Sequence, residues 1–157
     1  IFVIRRETDT LAPFSKSPKF SGLNGITLSD DGRQIFASSN VGIFKIEIQT
    51  KRVFLLTHEK NFHSYGIDGL YLFDNQLYAI QNELLTQVSR FTLNRKGTHL
   101  KTCEIFEKNT HNLRAPTTGA IAGDYFYFIA NSNWRKPKTG VVVMKTRINN
   151  KKTAKAK

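Results

Sequence analysis

The chain has 157 residues, 39% of them apolar, which suits one domain of ordinary size with a core of its own. The lone Cys103 excludes an intrachain disulfide framework, and no Cys/His cluster has zinc-ligand spacing. The net charge is +12, but nine of the 24 Lys and Arg fall between Arg135 and Lys157, a stretch without acids, so 15 bases face 12 acids elsewhere; with no recognised nucleic-acid motif, this describes a solvated basic end and no specific nucleic-acid partner.

Along the chain, short runs rich in β-branched and aromatic residues alternate with turn residues, and no apolar run of period 3.6 is found. Residues 1–4 and 11–14 read as two strands. Four more follow at 25–29, 34–38, 42–48 and 52–57, the first pair turning at Asp30-Asp31-Gly32, where Asp and Gly tolerate a left-handed backbone. The next four lie at 70–73, 76–80, 87–93 and 100–106, with turns at Asp74-Asn75 and Asn94-Arg95-Lys96-Gly97. Strands at 120–122, 125–130 and 140–148 complete the series, turning at Gly123-Asp124. Residues 149–157 have no apolar periodicity and are expected to form a disordered basic tail. With no span of 18 or more apolar residues and no signal peptide, the expectation is a soluble chain without a membrane partner, its compartment left open.

A three-fold echo organises these runs. Asn24-Gly25-Ile26, Asp68-Gly69-Leu70 and Thr118-Gly119-Ala120 each open a first strand, at spacings of 44 and 50 residues. Each opening is followed 11 to 13 residues on by an alanine and then an asparagine: Ala37 and Asn40, Ala79 and Asn82, Ala130 and Asn133. Four-stranded units recurring every 40 to 50 residues or so predict propeller blades. The fold expected is all-β, an incomplete propeller of about three and a half antiparallel blades, where a closed ring takes roughly four to eight. Residues 1–19 would close one blade, 20–62 and 63–110 form two more, and 111–148 make a blade lacking its fourth strand, all within one partial domain of residues 1–148. Such a piece exposes radial apolar faces, so self-association through them is expected.

Antiparallel neighbours place the start of each first strand and the end of each second strand on the same rim. Asn24, Asp68 and Thr118 are then expected around the channel mouth, with Asn40, Asn82 and Asn133 further out. The loops entering the first strands bring His63, Tyr65, His111 and Arg114 to that rim, and Trp134 follows a strand end there. Asp30, Asp31, Asp74, Asn75 and Asp124 fall on the opposite rim, where turn geometry explains them. Oxygen ligands such as Asn24 and Asp68 suit a hard divalent ion, calcium above others. Cys103 reads as a small packing residue.

The segment Leu23-Asn24-Gly25-Ile26-Thr27-Leu28-Ser29-Asp30-Asp31-Gly32 with Gln34-Ile35-Phe36-Ala37, and Ile67-Asp68-Gly69-Leu70 with Leu77-Tyr78-Ala79, resemble two blades of the senescence marker protein/gluconolactonase family. The resemblance covers roughly residues 20 to 133, and other six-bladed propellers share the same strand openings. It implies a six-bladed ring and metal-dependent hydrolysis of sugar lactones or related esters. It further implies that Asn24 and Asp68 are metal ligands, that Asp68 is the general base, and that a glutamate and a second asparagine come from earlier blades. His63, His111, Arg114, Thr118 and Asn82 are the candidate substrate contacts. The competing expectation is a noncatalytic propeller that uses the same rim to bind a protein, peptide or glycan.

Overall fold

Among the described residues of the computed structural model, which are 1–83, 85–133 and 140–148, there are fourteen strands and no helix. Trp134 and the tail at 149–157 lie outside them. Strands β1 (Phe2–Arg5) and β2 (Thr10–Pro13) form a hairpin. A four-stranded meander follows: β3 (Ile26–Leu28), β4 (Gln34–Ser39), β5 (Gly42–Glu47) and β6 (Val53–Leu55). Then come β7 (Thr57–His58), β8 (Ile67–Phe73), β9 (Gln76–Gln81), β10 (Gln87–Leu93) and β11 (His99–Lys108), in a sheet ordered β7-β11-β10-β9-β8. The last sheet is β12 (Gly119–Ala122), β13 (Tyr125–Asn131) and β14 (Val142–Arg147), paired in that order. This is an incomplete β-propeller; the sheets are called here the half blade and blades one to three.

The turns follow the chemistry of their residues. Asp74 and Asn75 both have positive φ, 49° and 55°, as a two-residue hairpin loop between twisted strands requires. In blade one, the Ser29 hydroxyl donates to Asp31 at 2.6 Å and the Arg33 amide donates to the same oxygen at 3.0 Å, bonds that hold the Asp31 carboxyl below its usual range. Asp31 is therefore occupied in closing its turn.

One expected strand divides. Residues 52–57 read as a single run, but Leu56 turns into the core between blades one and two, 3% exposed, its amide donating to the Ile43 carbonyl at 2.8 Å. Thr57 and His58 then leave blade one and pair in parallel with His99 and Leu100 of blade two. Burial of one leucine thus ends a strand and stitches two blades at their outer edge. β8 also starts three residues earlier than the sequence suggests, because Asp68 forms a bulge.

Each blade packs on both faces, which explains why runs such as Leu77 to Ile80 are continuously apolar. On β9, Leu77 and Ala79 face blade one while Tyr78 and Ile80 face blade three. On β4, Phe36 joins the core between blades one and two and Ala37 the core toward the half blade, with Phe44, Ile46, Phe14 and Phe20. The repeated alanines 37, 79 and 130 are all 2% exposed or less.

The repeated glycines answer to the same crowding near the axis. A Cβ on Gly25 would lie 2.7 Å from the Leu70 amide nitrogen and 2.8 Å from the Asp68 carbonyl oxygen; on Gly69 it would lie 2.7 Å from the Thr117 carbonyl oxygen. Inner strands of neighbouring blades meet backbone to backbone, and only glycine permits that approach. Polar bonds cross at the same level: the Ser38 hydroxyl donates to the Ile67 carbonyl at 2.9 Å, and the Leu72 amide donates to Thr27 Oγ1 at 3.1 Å.

Two predictions follow from this packing. Gly25→Ala forces blades one and two apart and should cost about 1–3 kcal/mol, the range for overpacking, in urea denaturation; a Gly25→Ala midpoint equal to wild type contradicts the close-approach account. At the ends, Phe2, Ile4, Leu11, Val141 and Val143 are each more than half exposed. Sedimentation coefficients should therefore rise with concentration, whereas a concentration-independent monomer contradicts self-association through these faces.

Candidate functional site

The rim where first strands begin and second strands end carries most of the candidate residues. Asn24 precedes β3 with an exposed side chain, its backbone amide donating to the Ser38 carbonyl at 3.1 Å. Asp68 is the extra residue of a bulge between Ile67 and Gly69 of β8, a device that re-aims a side chain out of the regular pleat. Its Oδ2 accepts from Asn82 Nδ2 at 2.8 Å, and the same nitrogen donates to the Pro116 carbonyl at 2.9 Å. Asn82 thus fixes one carboxylate oxygen of Asp68 and ties blade two to the loop entering blade three. Gly25 packs against the Asp68 carbonyl, so the openings of blades one and two adjoin.

A cleft of about 210 Å³ lies on this rim between blades one and two, lined by Asn24, Asn40, Asn82 and Glu83 and by the backbone of Gly22 and Gly66. Its walls are built by equivalent bonds: the Asn40 amide donates to the Ser21 carbonyl at 2.9 Å, and the Asn82 amide donates to the Gly66 carbonyl at 3.0 Å. Gly22 and Gly66 have φ of +58° and +67°. A Cβ on Gly22 would fall 2.2 Å from the Asn40 side-chain oxygen, and one on Gly66 would fall 3.1 Å from Glu83 Cβ. The side chains of Asn24, Asn40 and Glu83 make no hydrogen bond or ion pair among the described residues.

The remaining candidates sit apart from the cleft lining. The Tyr71 hydroxyl lies 2.8 Å from Thr118 Oγ1 and accepts from the Gly119 amide at 2.7 Å, which makes Thr118 part of a joint between blades two and three. His63 is exposed and packs on Tyr65, ring centroids 5.0 Å apart; that loop is held by Gln81 Nε2, which donates to the Tyr65 carbonyl at 2.9 Å. His111 and Arg114 are exposed and brought together, Arg114 Nε donating to the His111 carbonyl at 3.2 Å. Asn133, at φ 49°, closes its own loop through Asn131 Oδ1 and the Gly140 carbonyl. In blade three the backbone position matching Asn40 and Asn82 falls on Ser132, whose amide donates to the Ala115 carbonyl at 3.1 Å.

Glu83 is a residue that the repeat pattern misses, because the echo ends at Asn82; its place immediately after the rim asparagine is the signal that points to it. Cys103 is half-buried, and burial pushes its thiol up, an interaction with the Ser89 side chain offsetting part of that effect. Among the described residues no group of three or more His, Cys, Asp or Glu is placed to hold a metal, and no helix is long and apolar enough to cross a membrane.

No protein-family model matches the chain, and no curated protein matches it. Solved structures do. A PQQ-bound aldose sugar dehydrogenase from Streptomyces coelicolor is 15% identical with a TM-score of 0.57, over 88% of this chain and 48% of that one. An auxiliary nutrient binding protein from Bacteroides thetaiotaomicron is 17% identical with a TM-score of 0.64, over 94% and 39%. A 6-phosphogluconolactonase-like protein from Bacteroides uniformis is 18% identical with a TM-score of 0.56, over 96% and 47%. These neighbours are propellers, and at such identities the likeness shows the fold alone. The chain spans half or less of the length of each.

Asn82→Ala removes a charge-assisted and a neutral bond at once and should cost about 1–3 kcal/mol in denaturation; no loss contradicts its role as a clamp. With its thiol held above the usual range, Cys103 should react with an aromatic disulfide reagent at pH 8 more slowly than an exposed cysteine, the gap narrowing as pH rises. Reaction at the rate of free cysteine contradicts that burial.

Proposed function

We propose that this chain is about half of a six-bladed propeller hydrolase that opens sugar lactones or related esters with the help of a divalent cation, calcium above others. The observation that carries the reading is the bulge at Asp68, which sets a carboxylate on the rim beside the opening that holds Asn24. The two side chains offer one carboxylate and one amide oxygen, the hard donors a calcium ion takes, and neither a thiol nor an imidazole. Asp68 keeps one oxygen for Asn82, which leaves the other for a ligand. Further ligands would come from blades outside this chain. Among the solved neighbours, the names of a sugar dehydrogenase and a phosphogluconolactonase-like protein support a sugar-related rim.

In this reading a bound cation would polarise the lactone carbonyl and lower the pKa of a water. Asp68 orients that water and accepts its proton as the oxygen adds to the carbonyl carbon. The ring C–O bond then breaks, the ring oxygen takes the proton, and a hydroxy acid leaves. Asn82 holds the Asp68 carboxylate at a fixed angle, so the base does not swing away from the rim. His63, His111, Arg114 and Thr118 would contact substrate from the surrounding loops.

The second reading is a noncatalytic rim that binds a protein, peptide or glycan. It is favoured by the partial engagement of Asp68 with Asn82, which a purely structural carboxylate would also show, and by the nutrient binding protein among the neighbours. Calcium titration by calorimetry on the full-length protein separates the two. Saturable binding lost in Asp68→Ala is expected for the hydrolase; absence of binding in both proteins contradicts it and favours the binding module.

A further inference from the structure

We propose that Gln81 is a positioning residue of the rim: its buried side-chain amide fixes the loop of residues 62–66, and with it the rings of His63 and Tyr65, in the place from which they meet a ligand. This rests on the reading of His63 as a substrate contact and adds the group that sets its position.

Strand alternation puts Gln81 where it can do so. On β9, Leu77 and Ala79 face blade one, and Gln81 follows on the same face, 2% exposed at the rim end of the strand. A buried amide is costly unless its polar groups are satisfied, and both ends of this one are used. Its Nε2 donates to the Tyr65 carbonyl at 2.9 Å and, more weakly, to the His63 carbonyl at 3.5 Å. Its Oε1 accepts from Gln87 Nε2 at 2.7 Å and from the Ser89 hydroxyl at 3.1 Å. Carbonyls only accept, so the loop dictates which way the amide faces. Gln87 and Ser89, 4% and 0% exposed, then brace it from inside blade two, Gln87 Nε2 also donating to Ser89 Oγ at 3.0 Å. Buried polar networks satisfied in this way rigidify what they hold.

The loop runs between fixed points. Phe62 packs on the core between blades one and two, its ring 5.7 Å from that of Phe91. Ser64 is buried against Gly42 of blade one, where a Cβ would come 3.3 Å from its Oγ. Gly66, at φ +67°, accepts from the Asn82 amide at 3.0 Å. Between these points Gln81 grips the carbonyls of His63 and Tyr65, whose rings lie 5.0 Å apart, so the ring pair follows the backbone that Gln81 holds. Consecutive residues thus serve two parts of the rim: Asn82 fixes the Asp68 carboxylate, and Gln81 fixes the loop that precedes it.

The test is the histidine ring spectrum of the full-length protein in wild type, Gln81→Met, Gln81→Glu and Ser89→Ala, with the His63 signals assigned by their loss in His63→Gln. Neither substitution at position 81 can donate to the two carbonyls as the amide does, and Gln81→Met introduces no buried charge that would threaten the fold. Ser89→Ala removes a bond on the far side of Gln81 and leaves the loop held. The His63 signals should shift or broaden in both position-81 variants and stay in place in Ser89→Ala, while those of His58, His99 and His111 stay in place throughout. His63 signals unmoved at position 81, moved equally by Ser89→Ala, or moved together with all the other histidines overturn the proposal. With D-gluconolactone as substrate, Gln81→Met should raise KM about fivefold with kcat within about twofold of wild type; KM unchanged in a variant whose His63 signals move overturns the proposal as well. Absence of lactone turnover and of calcium binding in wild type defeats the hydrolase reading, and the His63 spectrum then decides this one by itself.

Discussion

The inner strands of neighbouring blades approach backbone to backbone, and the rest of the molecule is arranged around that approach. Gly25 admits the chain at Asp68 to Leu70, and Gly69 admits the chain at Thr117. With no side chain between them, the strand openings of successive blades are brought within reach of one another, so polar groups next to the glycines gather on one rim. Further from the axis the blades diverge, and the space fills with large side chains such as Phe36, Phe91, Phe126 and Phe128. Small residues inside and large ones outside are what a wedge-shaped sector needs.

On the rim, polar groups divide into those that hold the blades and those without a partner among the described residues. Asn82, Tyr71, Ser38 and Thr27 are spent on joints between blades. The side chains of Asn24, Asn40 and Glu83 have no partner among the described residues. Asp68 belongs to both groups: Oδ2 is held by Asn82, and Oδ1 has no partner among the described residues. A carboxylate fixed in this way is oriented before any ligand arrives, which is how a site gains from electrostatics without reorganisation.

Much of the fold was legible in the sequence because period-two alternation, turn residues and a repeat are local signals. The glycine of each opening announces close approach whatever it approaches, and the strand runs at 34–38, 76–80 and 125–130 agree with β4, β9 and β13. What was not legible depends on distant partners. Leu56 turns inward because blade two supplies a core for it, and nothing near it in the chain signals the parallel pairing of Thr57 with His99. The bulge at Asp68 and its bond to Asn82 arise from register fourteen residues away. The contact of Thr118 with the Tyr71 hydroxyl was equally out of view, because Tyr71 lies in another blade. Glu83 escaped notice because it breaks no pattern; it stands one residue beyond a repeat that ended.

The central claim is that the rim between blades one and two receives a ligand. Side-chain amide spectra of ¹⁵N-labelled protein during addition of calcium and of D-glucose test it most directly. The account predicts shifts at Asn24, Asn40 and Asn82, with Asn75 in a turn of the opposite rim unchanged; shifts confined to that opposite rim, or none with either ligand, would contradict it.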